Sequence, residues 1–270
     1  MNDAWAGVDP VKVLGIPLWT ASLDQAVSEA VNVCRSCEPK LSRLVSATGA
    51  HGLVTARRNP AFARVLKSFH HNLPDGMPAV WVGRLKGAHS MRRCYGPDFF
   101  RELITSSGGD PIRHYLCGGK QGVAEELRGV CEAKFGNRHV VGAFCPPFRE
   151  MSDTELATLG MDVEARGTDV LWIGLSTPKQ EVFALRLSRL TRVHYIVTVG
   201  AAFDFHVGRI RQAPRALQRA GLEWLFRLCM EPRRLHKRYA QIVPLFLFYN
   251  LVDLVRCLTS RNQAGGLGDA

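Results

Sequence analysis

The chain has 270 residues, 46% of them apolar, with 35 lysines and arginines against 24 acids and a formal net charge of +11. That length and composition exclude a disordered chain and predict one large domain, alone or with an appendage, around a sizeable core. There is no uninterrupted apolar run of about 18–20 residues to span a membrane, and residues 1–30 lack the basic start, apolar centre and cleavage site of a secretory signal, so a cytosolic protein is expected.

In chain order, residues 11–19 and 43–48 read as strands flanking a helix from Leu23 to Cys34 that Asp24 starts, a β-α-β opening. Leu53, Val54, Ala61, Phe62, Val65, Leu66 and Phe69 form a helical stripe over 52–69 that Asn59-Pro60 divides in two. The turn Leu73-Pro74-Asp75-Gly76 closes it. His70 and His71 precede this turn and could form a ligand pair, but neighbours on a strand face opposite ways, so exposed loop histidines are expected. Pro97 suits the first turn of a helix over 99–104. Strand-like runs follow at 113–117, 139–143, 168–174 and 193–199, alternating with helical stretches, one of which has capping-box spacing at Ser152 and Glu155. The alternation predicts an α/β fold with a parallel sheet covered on both faces, its ligands bound past the carboxyl ends of the strands.

From about Gly208 the alternation stops. A basic helical segment leads into 242–255, which Pro244, Asn250 and Asp253 make too short and polar for a membrane span, though able to lie in an interface or to dock on the domain. Three parts are therefore expected: an α/β domain over 1–207, a basic helical, membrane-associating appendage over 208–262, and a disordered tail over 263–270. The spacing of Trp224, Leu225, Leu228 and Cys229 suggests that the appendage lays an inner face on the sheet.

The eight cysteines are expected as reduced, small apolar fillers. Cys34-Arg35-Ser36-Cys37 is a lone CxxC with neither a second pair for zinc nor a preceding strand for redox chemistry. The charge is concentrated: residues 209–238 hold nine arginines and lysines against Glu223 and Glu231, an excess of +7. Nucleic acid, an anionic membrane surface and a polyanionic substrate such as a diphosphate all fit such a stripe.

Three turns could carry chemistry. Residues 116–122, with Gly118, Gly119 and Gly122, lie where a phosphate loop would, but match neither the P-loop nor the dinucleotide spacing; a nucleotide contact and a plain tight turn stand level. Asp75, followed by Gly76, could be presented at a cleft, while Pro-Asp-Gly is also ordinary turn composition. Pro178, Lys179, Gln180 and Glu181 open a helix whose free N–H groups, with Lys179, would favour a phosphate; an ordinary helix start with solvated charges is the plainer reading.

Together the motifs are more specific. Pro74-Asp75-Gly76, Arg93-Cys94-Tyr95-Gly96-Pro97-Asp98, Gly174-Leu175-Ser176-Thr177-Pro178-Lys179-Gln180-Glu181, Gly200-Ala201-Ala202-Phe203-Asp204-Phe205, Arg211-Gln212-Ala213-Pro214, and Glu223-Trp224 with Arg227 and Glu231-Pro232-Arg233-Arg234 fall in one order over about residues 12–240. In this the chain resembles the WecG/TagA/CpsF glycosyltransferases, glycosyltransferase family 26.

The resemblance implies a Rossmann-like fold, mostly parallel with helices on both faces and a basic helical C-terminal appendage. It also implies an inverting transfer of a hexose-type sugar from a UDP-sugar to a polyprenyl (undecaprenyl) diphosphate-linked sugar, in bacterial cell-surface polysaccharide biosynthesis. No cofactor and no metal are expected. The partners implied are the UDP-sugar, the lipid-linked acceptor and an anionic membrane surface, at which the enzyme would sit peripherally on the cytoplasmic face; nucleic acid is not among them, and a homo-oligomer stays open. By position Asp75 corresponds to the general base, with Thr48 and Arg93 as further catalytic candidates. Gly76, Gly118, Pro178, Lys179, Gln180 and Glu181 would meet the donor and its diphosphate, and Arg211, Arg215, Arg227 and Arg234 the phosphates from the appendage. Ser176 stands where many members have glycine, so N-acetylmannosamine, N-acetylmannosaminuronic acid and glucose all remain candidate sugars. The competing reading is a basic nucleic-acid- or membrane-binding module without catalysis.

Overall fold

The computed structural model describes residues 8–36 and 39–265, with side chains through 256. Strands β1 (Val11–Val13) and β2 (Ile16–Leu18) pair antiparallel through Leu14 and Gly15, both at positive φ, and form a sheet of their own. The expected β-α-β opening is thus absent: a two-residue turn can only join antiparallel neighbours. Helix α1 (Leu23–Arg35) is capped by Ser22 rather than Asp24, because Ser22 and Gln25 exchange side-chain and backbone hydrogen bonds while Asp24 merely occupies the first turn. Cys37 lies outside the described residues. Burial pushes the thiols of Cys34, Cys94 and Cys131 up to about 12, in keeping with inert filler.

The rest alternates: β3 (Arg43–Thr48), α2 (Ala50–Arg58), α3 (Pro60–Lys67), β4 (His71–Pro74), α4 (Met77–Leu85), α5 (Gly96–Ser106), β5 (His114–Gly118), α6 (Val123–Phe135), β6 (Val140–Phe144), α7 (Asp153–Ala165), β7 (Val170–Gly174), α8 (Lys179–Leu187), β8 (Tyr195–Thr198) and α9 (Ala202–His206). Six parallel strands lie in the order β4-β3-β8-β7-β5-β6. Thr48 pairs with Pro74 and Gly118 with Gly174, which brings the carboxyl ends of these strands level. Helices α1, α5, α6 and α9 cover one face, where Trp172 meets Phe99 and Phe100; α7 and α8 bury Leu171 and Ile173 on the other.

Two elements escape sequence patterning. Strand β4 occupies part of the expected turn and has four buried residues, hence no alternation, and α4 is too apolar to show a stripe. His71 opens β4 and is buried, and His70 is half-buried, so neither is an exposed loop histidine. Tertiary cover, not local composition, decides them.

The appendage comprises α10 (Arg215–Arg219), α11 (Glu223–Met230) and α12 (Pro232–Gly265). Ile242 and Phe246 of α12 join the hairpin, α2, α3 and α4 in a third apolar cluster, while Leu247, Phe248, Leu251 and Val255 remain exposed. Helix α11 lies against α12 and not on the sheet as the spacing of Trp224, Leu225, Leu228 and Cys229 suggested: Trp224 packs edge-on to Tyr239, and Leu225 and Cys229 are exposed. The helix runs past the expected boundary at 263 to Gly265, and 266–270 lie outside the described residues. Among the described residues no helix is long and apolar enough to cross a membrane.

One close approach is set by backbone. Gly118 has φ 143°, and a Cβ there would fall 2.6 Å from the Gly174 carbonyl oxygen. Gly118→Ala is expected to cost about 2–4 kcal/mol in denaturant unfolding, whereas Gly129→Ala, on α6 with open space around it, should be neutral or stabilising by up to about 1 kcal/mol. Equal unfolding midpoints for the two variants would refute this reading.

Candidate active site

A cavity of about 2340 Å³ opens past the carboxyl ends of the six strands. Gly49, Asp75, Gly119, Phe144, Gly174 and Val199 represent the six strand ends in its wall, and α10, α11 and α12 close one side. Ligands of parallel sheets bind at this edge because helix N-termini and free loop amides gather there.

Asp75 directly follows β4. Its Oδ1 accepts a hydrogen bond from Gly96 N–H, the first residue of α5, at 2.8 Å. Glycine keeps this approach close: a Cβ at 96 would lie 3.0 Å from Ala47 Cβ, 3.3 Å from the Val199 carbonyl oxygen and 3.4 Å from Asp75 Oδ1, tight enough that its neighbours would have to give way by a few tenths of an ångström. Burial pushes the carboxyl up to about 6, against the opposing pull of Arg93 and of the Gly96 hydrogen bond. The group is thereby poised to exchange a proton near neutrality.

Arg93 joins the domain to the appendage. Its Nε donates to the Asp75 carbonyl at 2.8 Å, one terminal nitrogen to Gln218 Oε1 at 2.8 Å, and the other to Glu223 Oε2. The guanidinium also stacks over the Tyr95 ring, 3.9 Å from its centroid, while Tyr95 OH donates to Glu223 Oε1 at 2.7 Å. Glu223 is an appendage acid in a basic segment, and Arg93 and Tyr95 account for it.

The other candidates divide. Gly76, Pro178, Lys179 and Gln180 line the cavity with Asp75 and Arg93. Gln180 is held rigidly: its Oε1 accepts from Gly200 N–H at 3.0 Å and its Nε2 donates to Glu181 Oε1 at 2.9 Å. Three candidates lie beneath the wall. Thr48 is buried and donates to Ser46 Oγ at 2.8 Å; Gly118 lies under Gly119; and Glu181 accepts from Thr177 Oγ1 at 2.8 Å, its own carboxyl pushed up by burial. These positions support the wall rather than form it. In the loop after β5, Gly119, Lys120, Gln121 and Gly122 face the cavity.

The appendage arginines also separate. Arg227 and Arg234 line the cavity; Arg211 and Arg215 are exposed and do not. Arg227 Nε is buried without a hydrogen-bond partner among the described residues, and its guanidinium lies 5.4 Å from the Phe205 centroid. Arg234 pairs with Glu231 at 2.6 Å. Arg238, counted in the sequence only as part of the basic segment, and His51, close after Thr48, also line the cavity. Burial, then the charges of Arg234 and Arg227, pull the Arg238 pKa down, and burial with the Arg238 charge holds His51 at about 4. Crowded, partly desolvated like charges are the electrostatic signature of an anion site. Only the position of Arg238 one helical turn beyond Arg234 could have signalled it.

A doubly covered parallel sheet with a cavity at its carboxyl edge defines a Rossmann-like α/β enzyme layout. Residues 11–260 match the Glycosyl transferase WecG/TagA/CpsF family. The chain belongs to that family and is a glycosyltransferase.

Proposed function

We propose that the chain moves a hexose-type sugar from a UDP-sugar to a polyprenyl diphosphate-linked sugar with inversion, without a metal cofactor, at the cytoplasmic face of a bacterial membrane in cell-surface polysaccharide assembly. The observation that carries this reading is the pairing, in one cavity, of a carboxyl poised near 6 with the Arg227, Arg234 and Arg238 cluster. Asp75 takes the proton from the acceptor hydroxyl as that oxygen bonds to the anomeric carbon; the bond to the donor diphosphate breaks, and its electron pair leaves with UDP. The cluster and Lys179 at the start of α8 meet the leaving charge.

The acceptor's lipid and the membrane are supported by the apolar rim. Trp81 and Leu85 of α4 and Leu247 and Leu251 of α12 are exposed at the cavity, and Phe248 and Val255 extend the apolar surface along α12. Arg211 and Arg215, outside the cavity, suit anionic headgroups.

Calorimetry with UDP in EDTA tests the donor site. Binding at about 1–100 µM, weakened at least about tenfold by Arg238→Met, is the expected result. No UDP binding, together with tight and strongly salt-dependent RNA binding, would replace the transferase reading by a nucleic-acid module.

A further inference from the structure

Away from the cavity, at the amino end of β4, Glu29 of α1 faces His70 and His71. Glu29 Oε1 lies 2.8 Å from His71 Nε2 and 3.4 Å from His70 Nε2, and all three donor atoms lie within 4.8 Å of one another. Strand alternation would send adjacent histidines to opposite faces, but His70 precedes β4, so its ring is free to turn beside that of His71, with centroids 4.2 Å apart. None of the three residues lines the cavity.

We propose that Glu29, His70 and His71 form a divalent transition-metal site of zinc type that clips α1 to the start of β4. Two imidazole nitrogens and a carboxylate oxygen are a recurrent zinc donor set, and bonds of about 2.0 Å in a tetrahedron set ligand atoms about 3.3 Å apart; the Glu29–His70 separation of 3.4 Å fits this, and the Glu29–His71 hydrogen bond of 2.8 Å would open by about half an ångström to admit the ion. The surroundings suit the ion. Trp19 packs on the His71 ring at 4.6 Å and Tyr195 stands edge-on to His70 at 6.5 Å, which holds the two imidazoles in place. Side-chain exposures of 30% for Glu29 and 17% for His70 leave a path for the ion and for a water as fourth ligand.

The test uses untagged full-length protein stripped with EDTA and dialysed. Calorimetry should find one Zn²⁺ per chain with a Kd below about 10 µM, and Co²⁺ should give the visible absorption of a four- or five-coordinate ion. Glu29→Gln and His70→Ala should each weaken Zn²⁺ binding at least about 30-fold, while His89→Ala, at an exposed histidine, should not. Saturating Zn²⁺ should raise the melting temperature of the wild type by a few degrees and leave both variants unmoved, and UDP binding should be the same with and without it. A wild type that takes up no Zn²⁺ below about 100 µM, or variants at Glu29 and His70 that bind as the wild type does, would overturn the proposal.

Discussion

Asp75→Asn should retain UDP binding, lose about 10²–10⁴-fold in transfer rate, and melt at a higher temperature than the wild type at pH 7. The two effects share one cause. Burial lifts the Asp75 pKa from 3.8 to about 6, so the ionised carboxylate the reaction needs is also the form the fold disfavours. Below pH 3.8 the group is neutral in both the folded and the unfolded chain and has no effect on stability. Between pH 3.8 and about 6 the unfolded chain ionises while the native carboxyl stays protonated, so the native state progressively loses about 1–3 kcal/mol relative to an aspartate at its ordinary value, and the loss is complete above 6. Asparagine is spared that loss and keeps an oxygen to accept from Gly96. Its thermal advantage should therefore be present at pH 7 and vanish near pH 4, while wild-type turnover climbs with pH to a midpoint near 6. A variant with wild-type turnover would remove Asp75 as the base; one with no pH-dependent gain in melting temperature would remove the burial argument.

Arg93 should give the second large effect. Replacing it with methionine leaves the Glu223 carboxylate, whose side chain is 18% exposed, without its cation, and frees Gln218 from the domain. Loss of about 2–4 kcal/mol of stability and at least about 10²-fold in rate is expected. Glu223→Gln alone should lose less, and the double variant should fall short of the sum by at least about 1 kcal/mol in a double-mutant cycle. A second readout separates a clasp from a passive brace. Arg93 favours the ionised form of Asp75, so in Arg93→Met the midpoint of the pH–rate profile should move above 6. An unmoved midpoint with additive stabilities would show that Arg93 neither tunes the carboxyl nor couples the appendage to it.

The strand and helix alternation over 43–206 and the capping box at Ser152 were legible because local patterning and tertiary environment agree there. Strand β4 and helix α4 were not, because a short buried edge strand and an all-apolar helix have no period to read. The site was legible in part. Asp75, Arg93, Lys179 and Gln180 lie in motifs whose order carries the family resemblance, and all four reach the cavity. Glu181 shares one of those motifs, and Thr48 ends β3 beside them, but both lie beneath the wall, a distinction set by strand and helix facing rather than by residue type. The contact from Arg93 to Glu223 spans 130 positions in the chain, and nothing local to either residue announces the other. The same holds for His51 and Arg238, which only the docking of α12 brings together. Arg211 and Arg215 show the converse: basic residues in the right segment that the fold leaves outside the cavity.

The pinch between Gly118 and Gly174 bears on how the site can be mapped. Scanning by alanine reports a group by deleting it, yet along this stretch of floor the working surface is main chain, and alanine adds an atom instead. The same holds at Gly119, where a Cβ would lie 2.6 Å from Val123 Cβ, and at Gly174, where it would strike the Phe203 ring at 2.7 Å. Damage here would register as poor expression or early melting, and a screen that discards unstable variants would leave a blank between Asp75 on one bank of the cavity and Lys179 on the other. Backbone substitutions that keep the residue small, such as an ester in place of the amide at Gly119, would reach that blank where side-chain replacement cannot.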